Sequence, residues 1–178
     1  MGRLGDIYLY LRSTVAKSPY RFGWIIEGKL AASGRLMSPS QLAWAASHGI
    51  KSVVTIREFP LESTWFASGR GIAYRHIQVK DHDAPLVKEL GELVTYIDTE
   101  ITKGRPVIVH CNGGSGRTGT VLAAYLMKNE GLTAQQAVRK VKEIRGRTAT
   151  YKKQLDTLKE YQSYLDVVEE NGETHSQI

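Results

Sequence analysis

The residues that point most directly to chemistry lie between Val107 and Gly119, in the run VIVHCNGGSGRTG. An apolar, β-branched strand leads into a glycine-rich loop, and a helix follows the loop. The backbone N–H groups of such a loop and the positive end of the helix point at one centre, which suits a phosphate dianion. The sequence therefore predicts a phosphoryl-binding loop made of Asn112, Gly113, Gly114, Ser115 and Gly116.

Three further side chains of this run could react or assist. Cys111 would lie at the base of the loop, where the N–H groups and the helix dipole favour the nucleophilic thiolate. Arg117 can offer two parallel N–H donors to phosphoryl oxygens, and the hydroxyl of Thr118 can donate to the sulfur as it leaves. A nucleotide-binding loop of Walker type does not fit, because cysteine and arginine replace its first glycine and its lysine.

A proton donor is needed for the leaving oxygen, so a carboxylic acid should face this loop from another part of the chain. Asp81 and Asp83 are the candidates. Either aspartate could instead cap the helix predicted after Pro85, and Asp83 suits that role better. Arg145 and Arg147 belong to a basic stretch and are candidates for contacts with residues that flank the phosphate.

The elements that must position these residues follow from hydrophobic spacing, from glycines and from helix caps predicted at Ser38, with Gln41, and at Thr133, with Gln136. Strands are predicted over residues 24–27, 51–56, 72–79 and 107–110, and helices over 4–15, 39–48, 86–101, 118–130, 133–145 and 151–170. The apolar strands alternate with helices and lack hairpin turns. This pattern predicts an α/β fold whose central sheet is mainly parallel and is flanked by helices on both faces.

Length and composition limit the number of domains and the kinds of ligand. The chain has 178 residues, which fits one domain, and a formal net charge of +6, which favours anionic ligands without choosing among nucleic acid, acidic lipid and phosphorylated protein. Cys111 is the only cysteine, so we expect a reducing, cytoplasmic setting. Charged residues interrupt the N-terminal apolar pattern, and no membrane span is predicted.

The segment His110-Cys111-x-x-Gly114-x-x-Arg117-Thr118-Gly119 resembles the signature of the dual-specificity branch of the protein tyrosine phosphatases. The similarity to small archaeal-type and atypical members extends from about Trp24 to Tyr164. It suggests a phosphatase domain over residues 24–170, preceded by an amphipathic helical extension (1–23) and followed by a polar tail (171–178).

The resemblance implies a ping-pong phosphatase that needs no cofactor and no metal. Asp81 stands four residues before a proline, as the acid of the family does, and His110 would hydrogen-bond the loop without touching the substrate. Arg57-Glu58 resembles a charged loop beside the active site. Tyr151 and Gln154 resemble the motif that opens the last helix, but Ala149 stands where close relatives often have Glu or Gln.

The substrate implied is a phosphorylated protein, with phosphotyrosine first and phosphoserine or phosphothreonine also open. RNA 5′ ends and inositol lipids are alternative substrates. The absence of a basic residue between Cys111 and Arg117 argues against lipid and polyphosphate, and no nucleic-acid partner is expected. A module that binds phosphate without turnover would be expected to lose Cys111, Arg117 or the acid, and all are present.

Overall fold

The computed structural model describes residues 17–67, 71–149 and 151–173. The helix expected over residues 4–15 lies outside the described residues. Most of the extension (1–23) and the end of the tail (171–178) lie outside them as well, so the division of the chain into domain and flanking segments stays a prediction. Within the described residues, none of the helices is long and apolar enough to cross a bilayer.

The centre of the fold is one five-stranded sheet. The strands are β1 (Gly23–Ile26), β2 (Leu30–Ser33), β3 (Ser52–Arg57), β4 (Ala73–Gln78) and β5 (Val107–His110). Their order in the sheet is β1-β2-β5-β3-β4. β2, β5, β3 and β4 run parallel to one another, and β1 pairs antiparallel with β2. The mainly parallel sheet is therefore confirmed.

One strand was missed by the sequence analysis. β2 is a short run of mostly small residues, LAAS, which carries no clear strand pattern, yet all four residues are buried between β1 and β5. A tight turn joins β1 to β2, with Gly28 in the left-handed region (φ 66°). The expectation that the strands lack hairpin turns was therefore wrong at this edge of the sheet.

Five α-helices and one 3₁₀ turn surround the sheet within the described residues. The helices are α1 (Pro39–Ser47), α2 (Val87–Thr102), α3 (Gly116–Glu130), α4 (Ala134–Arg145) and α5 (Lys152–Glu173), and the 3₁₀ turn is Ser63–Trp65. Two predicted caps are confirmed, since Ser38 accepts from the Gln41 amide and Thr133 from the Gln136 amide. Helix α3 begins before Thr118, at Gly116, and so places Arg117 in its first turn.

The sheet is covered on both faces, as predicted. Val107 and Val109 of β5 pack with α2, α3, α4 and α5 on one face, whereas Ile108 packs with α1 and the segment around the 3₁₀ turn on the other. The carboxyl ends of the parallel strands meet at one edge of the sheet. Cys111 follows β5 there and Glu58 follows β3, so the topology brings the candidate residues together.

Candidate active site

The glycine-rich loop is held in a single shape by the strand beside it. Gly114 has φ 66°, and a Cβ atom at this position would lie 2.4 Å from the carbonyl oxygen of Ser33. Only glycine fits here, because both the backbone conformation and the space exclude a side chain. Asn112 fixes the start of the loop, since its carbonyl accepts from the Arg35 amide at 2.9 Å and its Oδ1 accepts from Arg57 Nε at 2.6 Å.

The amides of this loop remain available to a ligand. Within the part of the chain that the structure describes, none of the backbone N–H groups of residues 112–115 donates a hydrogen bond. Buried and half-buried N–H groups in proteins almost always have a partner. Four adjacent amides without one, followed directly by the first turn of α3, form an anion site of the predicted kind.

Cys111 lies at the base of the loop and is 3% exposed. The neighbouring His110 is fully buried, with Nδ1 3.3 Å from the carbonyl of Cys111 and Nε2 2.8 Å from the hydroxyl of Thr55. Because a carbonyl only accepts, Nδ1 carries the proton and Nε2 accepts from Thr55. Burial, with Arg57 and Arg35 nearby, lowers the pKa of His110 to about 3, so the ring stays neutral and orients the loop.

Arg117 connects the loop to two carboxylates. Its side chain is 2% exposed, and Nη1 donates to Glu58 Oε2 at 3.0 Å and to the carbonyl of Val79 at 2.8 Å. Nη2 donates to Asp81 Oδ1 at 2.8 Å. A guanidinium has five N–H groups, so one on Nε and one on Nη2 have no partner within the described residues. This pair forms the fork that a phosphoryl group would need.

Arg117 favours the ionised form of both carboxylates. Partial burial would raise the pKa of Asp81, but the charge of Arg117 opposes it, and the pKa lies below its usual value. Burial likewise opposes ionisation of Glu58, while hydrogen bonds from backbone amides and from Arg117 lower its pKa. Both groups are therefore carboxylates at neutral pH in the free protein.

Asp83 does not cap the following helix, which corrects the alternative role considered for it. Helix α2 begins at Val87, and the amide of Leu86 is bound instead by Glu89 Oε2 at 3.0 Å. Asp83 Oδ1 accepts from the amide of Ala84 at 3.0 Å, and Oδ2 pairs with Lys153 at 3.0 Å. The helix starts too far along the chain for Asp83 to reach its first turn.

Thr118 is fully buried in the first turn of α3. Its hydroxyl has no hydrogen-bond partner within the described residues, so the expected donation to Cys111 is not formed in this structure and stays a prediction. Ser115 and Gly116 occupy the N-terminal boundary of the same helix, with Ser115 as N-cap and Gly116 as first residue.

Two arginines that hold the loop from outside were not recognised from the sequence in this role. Arg145 donates to the carbonyls of Gly114 (3.2 Å), Arg21 (3.0 Å) and Ala32 (3.3 Å), and Arg21 donates in return to the carbonyl of Arg145 (2.8 Å). Burial, together with the charge of Arg21, lowers the pKa of Arg145 to about 10, which leaves it protonated. Arg145 thus binds backbone carbonyls of the protein itself, and its expected contact with residues that flank the phosphate stays a prediction.

A cavity of about 730 Å³ opens above Cys111. Its lining combines the phosphate loop, Asp81 and His82, the segment after α4 and the start of α5. The lining side chains outside the two loops include Tyr20, Arg21, Val138, Lys142, Arg147, Tyr151 and Leu155. A thiol, an acid–arginine pair and unpaired amides therefore share one concave site, the usual arrangement of an enzyme centre.

Comparison with known families agrees with this geometry. The family model described as dual specificity phosphatase, catalytic domain, matches residues 36–164. The crystal structure of Tk-PTP in its active form is similar with a TM-score of 0.73 and 30% identity, covering 80% of this chain and 97% of that one. The chain belongs to the dual specificity phosphatase catalytic domain family, as its signature predicted.

Curated relatives act on more than one kind of substrate, to judge by their names. Dual specificity protein phosphatase 1 of Arabidopsis thaliana is 40% identical over 73 residues, which is 40% of this chain and 37% of the relative. Phosphatidylglycerophosphate phosphatase PTPMT1 of the same plant is 25% identical over 159 residues, or 87% of this chain and 46% of the relative. The chain thus spans less than half the length of either relative.

Proposed function

We propose that this chain is a phosphomonoesterase that works through a cysteinyl-phosphate intermediate on Cys111. The observation that carries the proposal is the position of Arg117, which arises from the phosphate loop, pairs with Asp81 at 2.8 Å and keeps two N–H groups for a ligand. One residue thus joins the anion site to the candidate proton donor. Arg117 is only 2% exposed, so it is not an ordinary solvated surface charge.

The proposed reaction has two displacements at phosphorus. The thiolate of Cys111 forms the S–P bond while the bond from phosphorus to the leaving oxygen breaks, and protonated Asp81 gives its proton to that oxygen. Water then attacks the cysteinyl phosphate, Asp81 takes the proton from the water, and the thiolate leaves. The loop amides and Arg117 stabilise the equatorial oxygens in both steps.

Phosphotyrosine in a protein is the substrate that the cavity favours. Tyr20, Val138 and Leu155 line it and offer apolar surface to the ring of an aryl phosphate. The family supports this proposal, since several of its named members are protein phosphatases, Tyrosine-protein phosphatase MSG5 among them. Phosphoserine and phosphothreonine remain second substrates of the same site.

A first test needs only the wild-type chain and p-nitrophenyl phosphate. We expect hydrolysis without added metal and in the presence of EDTA, because the proposed thiolate and donors all come from the protein. The measurement is nitrophenolate release before and after chelation, with readdition of Mg²⁺ or Zn²⁺ as the control. Complete loss of activity in EDTA, restored by a divalent ion, would contradict the mechanism.

The basic rim of the cavity predicts a preference among peptides. Lys142 and Arg147 line the mouth and are exposed, whereas Arg139, on the same helix as Lys142, does not line it. We expect Lys142→Ala and Arg147→Ala to raise KM several-fold for an acidic phosphotyrosine peptide and less for p-nitrophenyl phosphate, with added salt reducing the difference. Arg139→Ala is the matched control. Equal effects on both substrates would mean that Lys142 and Arg147 are solvated surface charges that do not contact the peptide.

A phospholipid monoester is a second candidate substrate. The plant phosphatidylglycerophosphate phosphatase aligns with most of this chain, and Lys142 and Arg147 could bind a second phosphate as readily as a carboxylate. Dispersed phosphatidylglycerophosphate should therefore be assayed beside the phosphotyrosine peptide. A kcat/KM for the lipid that exceeds the value for every phosphopeptide would favour this candidate.

A further inference from the structure

We infer that the start of helix α5 positions the proton donor by clamping the loop of residues 81–83 onto the phosphate loop. The clamp consists of Tyr151, Lys153 and Gln154, and we call it the α5 clamp. The inference rests on the proposed function, in which Asp81 is the general acid. It assigns positioning roles to three side chains that take no part in the proposed proton and phosphoryl transfers.

Each clamp residue makes one contact with the acid loop. The ring of Tyr151 lies against the ring of His82, with centroids 4.2 Å apart and planes tilted by 33°. Lys153 Nζ pairs with Asp83 Oδ2 at 3.0 Å, and Gln154 Nε2 donates to the carbonyl of Asp83 at 3.1 Å. The His82 ring, the Asp83 side chain and the Asp83 backbone are thus all contacted by the first turn of α5 and the residue before it.

The same clamp touches the phosphate loop. Gln154 is fully buried, and its amide packs so closely on Gly116 that a Cβ atom there would lie 2.8 Å from Nε2. Gln154 therefore contacts the acid loop on one side and the first residue of α3 on the other. This single side chain fixes the distance between the proton donor's loop and the anion site.

The acid loop requires external support. His82 has φ 64°, a left-handed conformation that a residue with a Cβ adopts only when its surroundings enforce it. The ion pair of Asp81 with Arg117 cannot supply the support at the moment of proton transfer, because the donating form of Asp81 is neutral and the substrate competes for the guanidinium. The α5 clamp acts on His82 and Asp83, whose contacts persist in that state.

The test compares leaving groups in clamp variants. We expect Tyr151→Leu/Lys153→Met to lower kcat about tenfold on phosphotyrosine, since small displacements of a catalytic group cost rate steeply, and to lower it less on p-nitrophenyl phosphate. The plot of log kcat against leaving-group pKa should steepen. Tyr151→Phe/Lys153→Arg, which keeps ring and charge, should restore the wild-type slope.

Lys152→Met is the matched control, because Lys152 is an exposed neighbour whose side chain makes no hydrogen bond or ion pair within the described part of the chain. In an Asp81→Asn background the clamp substitutions should add no further loss on phosphotyrosine. A clamp variant that lowers kcat equally on both substrates, or on neither, overturns the inference. If Asp81→Asn leaves the slope of log kcat against leaving-group pKa unchanged, the assignment of Asp81 as the acid is rejected. If Asp81→Asn steepens the slope and the clamp variants do not, only the inference about the clamp is rejected.

Discussion

Cys111→Ser is expected to abolish turnover, with kcat falling by at least about 10⁴-fold on every phosphomonoester, because a serine hydroxyl is almost fully protonated at neutral pH and cannot replace the thiolate. Binding of phosphate should survive. The change does not affect the amides of residues 112–115. It also leaves in place the two N–H groups of Arg117 that have no partner within the described residues.

Two measurements separate these effects. Pre-steady-state kinetics with excess p-nitrophenyl phosphate should show a burst of nitrophenolate for wild-type protein if hydrolysis of the intermediate is slow, and no burst for Cys111→Ser. Calorimetric titration with inorganic phosphate should give similar affinities for both proteins. Substantial residual turnover by the serine variant would remove Cys111 from the nucleophile's role, and loss of phosphate binding would mean that the loop itself had changed.

Asp81→Asn is expected to lower kcat on phosphotyrosine by about 10²-fold or more, the size of a general-acid contribution. The phenoxide of tyrosine needs a proton as it leaves, whereas nitrophenolate is stable without one, so the fall should be smaller with p-nitrophenyl phosphate. Asp83→Asn is the comparison, because it changes a neighbouring carboxylate that pairs with Lys153 and not with Arg117. It removes one contact of the α5 clamp and leaves Asp81 in place, so its effect should be milder than that of Asp81→Asn.

The pH profile provides an independent measure of the same residue. The acid must be protonated to act, and the pKa of Asp81 in the free protein lies below the usual carboxyl value. The kcat/KM of wild-type protein on phosphotyrosine should therefore fall as pH rises past that low pKa, and Asp81→Asn should lose this dependence. If Asp83→Asn removes the basic limb while Asp81→Asn keeps it, the two aspartates must exchange roles.

The spacing of residues along the chain is enough to predict the chemistry of the phosphate loop. The phosphate loop, Cys111, Arg117 and the strand before them are contiguous, so spacing alone predicts their shape and role. The caps at Ser38 and Thr133 are local in the same sense, and their contacts span only three residues. Hydrophobic spacing likewise predicted most helices and strands, because each must bury one face.

Contacts between residues that are far apart in the sequence could not be predicted and were found in the folded structure. Arg21 and Arg145 are separated by 124 positions, and Glu58 and Arg117 by 59, so no local pattern could pair them. The strand of residues 30–33 is defined by burial between its neighbours and not by its own composition. Asp83 is a further example, because its partner Lys153 lies at the start of α5, 70 positions along the chain. A contact of this kind depends on how the helices pack and not on sequence spacing.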